Sequence, residues 1–120
     1  MIKGYTREDY ISLIGKAIEE ATGGNCLIIF FGSIVDERFN RTSDIDVAIF
    51  CKEEISATDF LKIKDKIDKL PVLREVDLID LRKTNNVELI QNILEKGKIW
   101  KNIPELLRDL KNHLQNLKKS

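Results

Sequence analysis

Two aspartates, Asp44 and Asp46, stand in the otherwise apolar run "DIDVAIF". Successive side chains of a strand point to opposite faces. A spacing of two therefore puts both carboxylates on one face, with α-carbons about 6.5 Å apart. Charged groups in such a run are costly unless something pairs with them. A divalent cation suits the pair, since Mg²⁺ takes hard oxygens, commonly one or two carboxylates completed by substrate phosphates and water. Two-metal phosphoryl and nucleotidyl transfer holds its ions about 3.5–4 Å apart, which two such carboxylates can bridge. The plainer reading of "TSD" is a cap or turn before an apolar strand.

A third carboxylate lies in "EVDLID". Asp77 sits between Val76 and Leu78. If its strand pairs beside the one carrying Asp44 and Asp46, Asp77 completes an acidic triad or takes a proton from an attacking hydroxyl. Asp80, at the strand end, and Glu75, beside Arg74 at the strand start, are weaker competitors. Gly32-Ser33 directly follows the apolar run "NCLIIFF", and ten residues separate it from Asp44. Glycine there lets backbone approach a ligand closely. If Ser33 opens a short helix, its amide and hydroxyl can meet a phosphate. Taken alone, a Gly-Ser after a strand is more often only a turn.

These residues need strands to hold them. "TREDYISLIGKAIEEATGG" reads as a helix capped by Thr6, with Asp9 in a capping-box position and Gly23-Gly24 at its end. "NCLIIFF" reads as a strand covered on both faces, and "DIDVAIF" as a second strand. "SATDFLKIKDKIDKL" is an amphipathic helix stopped by Pro71. "VLREVDLIDL" is a third strand and "NNVELIQNILEKG" a third helix. "KIW" is a short edge strand, and residues 102–118 form a last helix with Pro104 in its first turn. No repeat or linker divides the chain, so residues 1–120 are expected to form one domain. The expected fold class is α+β, a mixed β-sheet with helices packed mainly on one face.

Twenty basic and twenty acidic residues cancel, so bulk charge gives no sign of nucleic-acid binding. Residues 101–120 carry a net +3 and residues 1–50 a net −3. Cys26 and Cys51 read as small core residues in a reducing cytosol. No run is long enough to span a membrane. The start, "MIKGYTRED", is too charged for a secretion signal, so a cytoplasmic protein is the default. Ile103, Leu107, Leu110, Leu114 and Leu117 make an apolar seam in the last helix, for packing on its own domain or on another chain, whether a partner or a second copy.

Together, Gly32-Ser33, Asp44-Ile45-Asp46 and Val76-Asp77-Leu78 resemble the minimal nucleotidyltransferases of the DNA polymerase beta and kanamycin nucleotidyltransferase superfamily. The likeness covers roughly residues 10 to 100, including "ILEKGKIW". It implies the nucleotidyltransferase fold, with Asp44, Asp46 and Asp77 holding two Mg²⁺ ions and Gly32 and Ser33 holding a nucleoside triphosphate. Many small members resembling this chain are antitoxins that transfer AMP from ATP onto a tyrosine of a helical HEPN-type ribonuclease toxin. The resemblance implies that activity and that partner here.

Family members often carry Arg just after Gly-Ser, where this chain has Ile34, and the loop "IVDERFNRT" is bulkier than usual. Arg38 and Arg41 are the loop's candidates for phosphate contact, though both read first as surface residues. The alternative is a binding module that neutralises a helical partner by association alone. Arg108 and His113 match the Arg-x4-His spacing of the partner toxins, but Gln115 stands where those have Tyr. We read this spacing as coincidence.

Overall fold

The computed structural model describes residues 5–40 and 42–119. Arg41 and the first four residues, part of the stretch read for a secretion signal, lie outside these. Helix α1 (Arg7–Thr22) begins at the expected capping box. The Thr6 hydroxyl accepts from the Asp9 amide, and the Asp9 carboxylate accepts from the Thr6 amide. Strand β1 (Cys26–Phe31) is buried at every position. A short 3-10 turn, Gly32–Val35, follows it. Next come β2 (Ile45–Cys51), α2 (Ala57–Asp68), β3 (Val76–Asp80), a turn at Leu81–Lys83, α3 (Val87–Lys96), β4 (Lys98–Lys101) and α4 (Pro104–Lys118).

The sheet order is β3-β2-β1-β4. β1 runs antiparallel to β2 and β4, while β2 and β3 are parallel. The expected mixed α+β sheet is therefore present. Its helices divide differently from the expectation of one covered face. Ile14 and Ile18 of α1 and Ile63 and Ile67 of α2 pack with Ile28, Phe30, Val47 and Ile49 on one side. Ile90 and Ile93 of α3 and Leu106, Leu110 and Leu114 of α4 pack with Leu27, Ile29, Ala48 and Phe50 on the other. The cause lies in β1 and β2: apolar residues at both alternating sets of positions leave two faces to be removed from water, each side chain contributing roughly 1.5–3 kcal/mol. The α4 seam is used here, with Ile103, Leu107 and Leu117 also packed against the second layer.

Cys26 and Cys51 are buried core residues, as expected. The expectation of two free thiols is corrected: they face each other across β1 and β2 and are joined as a disulfide. Antiparallel pairing brings together residues that are 25 apart in sequence, which spacing alone does not reveal. Among the described residues no helix is long and apolar enough to cross a membrane. His113 packs near Phe50, its Nε2 lying 3.2 Å from the Thr84 carbonyl oxygen.

Helix α1 also closes on β4 through Gly15. A Cβ at Gly15 would lie 2.6 Å from atoms of the Trp100 ring. Alanine ordinarily stabilises a helix interior by roughly 0.5–1 kcal/mol over glycine. Here Gly15→Ala is expected to destabilise instead, by about 1–3 kcal/mol, because the indole must shift. Urea denaturation checks this, and a variant as stable as the parent would contradict the packing.

Candidate active site

The site forms where β1 ends and β2 and β3 begin. Ile45 is wholly buried, and strand alternation then turns both neighbours, Asp44 and Asp46, away from it. Asp44 is exposed just before β2, and Asp46 is half-buried within it. Parallel pairing sets Asp46 opposite Asp77, and antiparallel pairing sets it opposite Phe31. Phe31 is the last residue of β1, so the register alone carries the chain from Asp46 to Gly32.

Three carboxylates are thus brought to one end of the sheet, Asp44 and Asp46 by their spacing and Asp77 by the parallel pairing of β3 with β2. Their mutual effect shows at Asp46. Its carboxyl is pushed above its ordinary pKa, first by burial, then by the negative charges of Asp77 and Asp44 and a hydrogen bond with Asp77. Among the described residues, no three acidic, His or Cys side chains are grouped so that they alone could hold a metal ion.

Gly32 has φ 76°, a left-handed conformation that favours glycine. A Cβ at this position would overlap the Asp46 carboxylate. Gly-Ser and Asp-x-Asp, ten residues apart in sequence, are therefore in contact through the bare glycine backbone. Ser33, half-buried, lies inside the 3-10 turn, and its carbonyl accepts from the Asp36 amide.

The competitors fall away by position. Asp80 is buried, with one carboxylate oxygen capping the next turn at the Arg82 amide. Alternation along β3 points it to the face opposite Asp77. Glu75 is exposed before β3, and its carbonyl accepts from the Ile45 amide. Of the two loop arginines, Arg38 is paired to Asp36 at 2.7 Å, and Arg41 lies outside the described residues.

Arg74 holds the loop before Asp44, a role that sequence reading missed. Its guanidinium lies 4.4 Å from the Phe39 ring centroid and 4.9 Å from that of Tyr10. It also donates to the carbonyls of Asn40 and Ser43. The sequence signal was weak, since an Arg before a strand is ordinary and its partners are distant. A cavity of about 370 Å³ beside Gly32 is lined by Val35, Asp36, Arg38, Asn92 and Lys96. A larger one, about 500 Å³, lies between α1 and α2 at the other end of the sheet, away from the carboxylates.

Solved structures share this fold at low sequence identity. A chain of the toxin–antitoxin MntA-HpeT crystal structure, bearing two Asp-to-Glu substitutions, matches with a TM-score of 0.69 at 18% identity, covering 96% of this chain and 88% of that one. A toxin–antitoxin structure with AMP-PNP matches at TM-score 0.67 and 22% identity, covering 89% of each chain. The tri-AMPylated Shewanella oneidensis HEPN toxin in complex with its MNT antitoxin matches at TM-score 0.66 and 21% identity, covering 95% and 91%. No curated protein matches the sequence. The family model described as "Polymerase beta, Nucleotidyltransferase" matches residues 18–105, a span that holds Gly32, Asp44, Asp46 and Asp77. With most of its length matched, the chain belongs to the polymerase beta nucleotidyltransferase family.

Proposed function

We propose that this chain is a metal-dependent nucleotidyltransferase that moves AMP from ATP to a tyrosine hydroxyl of a helical HEPN-type toxin, and so acts as an antitoxin. One observation carries the reading: Asp46 lies against the bare backbone of Gly32, opposite Asp77 in the neighbouring strand and within electrostatic reach of Asp44. The relatives with AMP-PNP and with an AMPylated HEPN toxin support the nucleotide and the partner.

The donor set fits Mg²⁺. All three candidate ligands are hard carboxylates, and their mutual repulsion at Asp46 is what a cation relieves. A Mg²⁺ site completed by phosphates and water needs no closed protein cage. Asp44 and Asp46 would hold the metal, with Asp77 as the third carboxylate. A metal held there would supply neutralisation of phosphate charge and polarisation of the breaking bond. Gly32 lets the phosphates lie close to backbone, and the Ser33 hydroxyl is the nearest side-chain donor in the motif. Asp77, exposed at the edge strand β3, accepts the proton of the attacking hydroxyl. The acceptor oxygen bonds to the α-phosphorus and pyrophosphate leaves. Positioning and charge neutralisation supply most of the acceleration.

The raised Asp46 carboxyl gives a pH signature. It must lose its proton before it can bind a cation, so transfer falls as pH drops through its raised pKa. Metal and proton compete, so this acid limb is expected to move to lower pH as Mg²⁺ increases. Rate profiles at several Mg²⁺ concentrations test it, and a limb indifferent to Mg²⁺ would remove Asp46 from the metal.

The direct experiment is intact-mass spectrometry of the co-purified helical partner after incubation with Mg-ATP. A gain of one or more AMP units is expected. A bound but unchanged partner favours the second reading, neutralisation by association alone. The observations behind that reading are Ile34 after Gly-Ser and the pairing of Arg38 with Asp36. Calorimetry separates the two, since only the enzyme must bind Mg-ATP.

A further inference from the structure

We propose that Lys96, in the last turn of α3, supplies the positive charge that holds the triphosphate of the incoming nucleotide. The proposal rests on the nucleotidyltransferase reading above and names the residue that takes the place of the basic contact absent at Ile34.

Gly32 links the two halves of the argument. Its α-carbon faces the Asp46 carboxylate, and it also lines the 370 Å³ cavity that Asn92 and Lys96 close from α3. A triphosphate reaching from the carboxylates past Gly32 would enter this cavity. Its charge needs a cation on the far side from the aspartates. Two cationic side chains line the space, Arg38 and Lys96. The Nε and one terminal nitrogen of Arg38 both donate to Asp36, at 3.0 and 2.7 Å, so its charge is already matched. Lys96 is exposed and makes no ion pair among the described residues.

The sheet fixes where Lys96 stands. Phe30 pairs with Lys98 in antiparallel register. Stepping two residues on along β1 reaches Gly32, and stepping two back from Lys98 reaches Lys96. In antiparallel strands these steps run the same way, so both residues leave the sheet at the same end. Gly97 makes the turn between α3 and β4 tight. A Cβ there would overlap the Ile93 carbonyl and crowd the Ile29 side chain and Phe30 carbonyl. The end of α3 is thus held against β1 next to the motif. Lysine presents a compact charge on a flexible stem, which suits phosphate oxygens approached from a helix end.

A lysine in the last turn of a helix also complements the helix dipole. That role alone affects folding and leaves nucleotide affinity untouched. Calorimetry with ATP and with AMP, each in excess Mg²⁺, distinguishes the two for the parent, Lys96→Ala and Lys96→Arg. ATP is expected to bind Lys96→Ala about tenfold or more weakly, since charge-assisted hydrogen bonds are the strong ones. AMP affinity is expected to stay within about twofold, because AMP lacks the outer phosphates that the lysine contacts. Lys96→Arg should recover most of the ATP affinity. Equal ATP affinity in parent and Lys96→Ala would overturn the proposal and leave the nucleotidyltransferase reading standing. Equal losses for ATP and AMP would overturn the triphosphate assignment. A parent protein that binds no ATP in Mg²⁺ would overturn the nucleotidyltransferase reading and this proposal with it.

Discussion

Asp46→Asn is expected to abolish nucleotide transfer while making the protein more stable. Asn keeps the shape of the side chain and one carbonyl oxygen, but loses the charge that binds a cation. Removing a single preorganised electrostatic contact in an active site commonly lowers the rate by about 10²–10³-fold, and a metal carboxylate should sit at or above that range. The stability effect follows from the raised Asp46 carboxyl. In the unfolded chain the carboxyl has its ordinary pKa, and in the fold it binds its proton more tightly. Folding is therefore penalised once the group ionises. The penalty is absent below the ordinary carboxylate pKa and complete above the raised one. Asp46 is half-buried, so solvent screening keeps the gain small. It is expected as a higher Tm at neutral pH, an increase that vanishes near about pH 3. Thermal melts at both pH values, beside the transfer assay, provide the check. Undiminished transfer in Asp46→Asn would refute the metal role. A lower Tm at neutral pH would refute the electrostatic account of the site.

Gly32→Ala should damage both fold and activity, and a second glycine separates the causes. Gly32 and Gly23 have similar left-handed backbones, φ 76° and 67°. Alanine in that region costs roughly 1–2 kcal/mol at either position. At Gly23 the added Cβ finds only the Asn25 amide nitrogen, at 3.6 Å. At Gly32 it runs into the Asp46 carboxylate. Gly23→Ala should therefore lose roughly 1 kcal/mol of stability and keep its transfer rate. Gly32→Ala should lose roughly 2–4 kcal/mol, adding overpacking to strain, and more than about tenfold in transfer as Asp46 is displaced. Denaturant titration and a rate assay of the two variants side by side give the answer. Equal activity in both would mean that the closeness of Gly32 to Asp46 has no bearing on catalysis.

Asp44, Asp46 and Asp77 were legible because strand periodicity is rigid. Once Ile45 is assigned to the core, its neighbours have one available face, and a carboxylate in the adjacent strand needs only the right register to join them. The order of elements was legible for the same reason, with capping at Thr6 and stops at Gly23 and Pro71. The two-sided packing was foreshadowed in β1, whose six apolar residues leave no polar face, but the expectation of helices mainly on one face missed it. What could not be read depends on chain segments meeting at distance. Cys26 meets Cys51 only because two strands pair antiparallel. Arg74 reaches Tyr10 and Phe39 across separate segments of the chain. Lys96 acquires its setting from a register between β1 and β4. Local patterns fix which way a side chain faces, whereas neighbours from other segments depend on the whole topology.

The last helix separates two notions of a boundary. The family match ends at residue 105. The second core layer continues through Leu106, Leu110 and Leu114, all beyond that point. The stretch matched by the family model is thus shorter than the stretch that keeps the second face of the sheet covered. A chain cut at residue 105 would retain every candidate catalytic residue and strip the α4 leucines from Leu27, Ile29 and Phe50. In this protein, the smallest piece carrying the chemistry is smaller than the smallest piece able to support it.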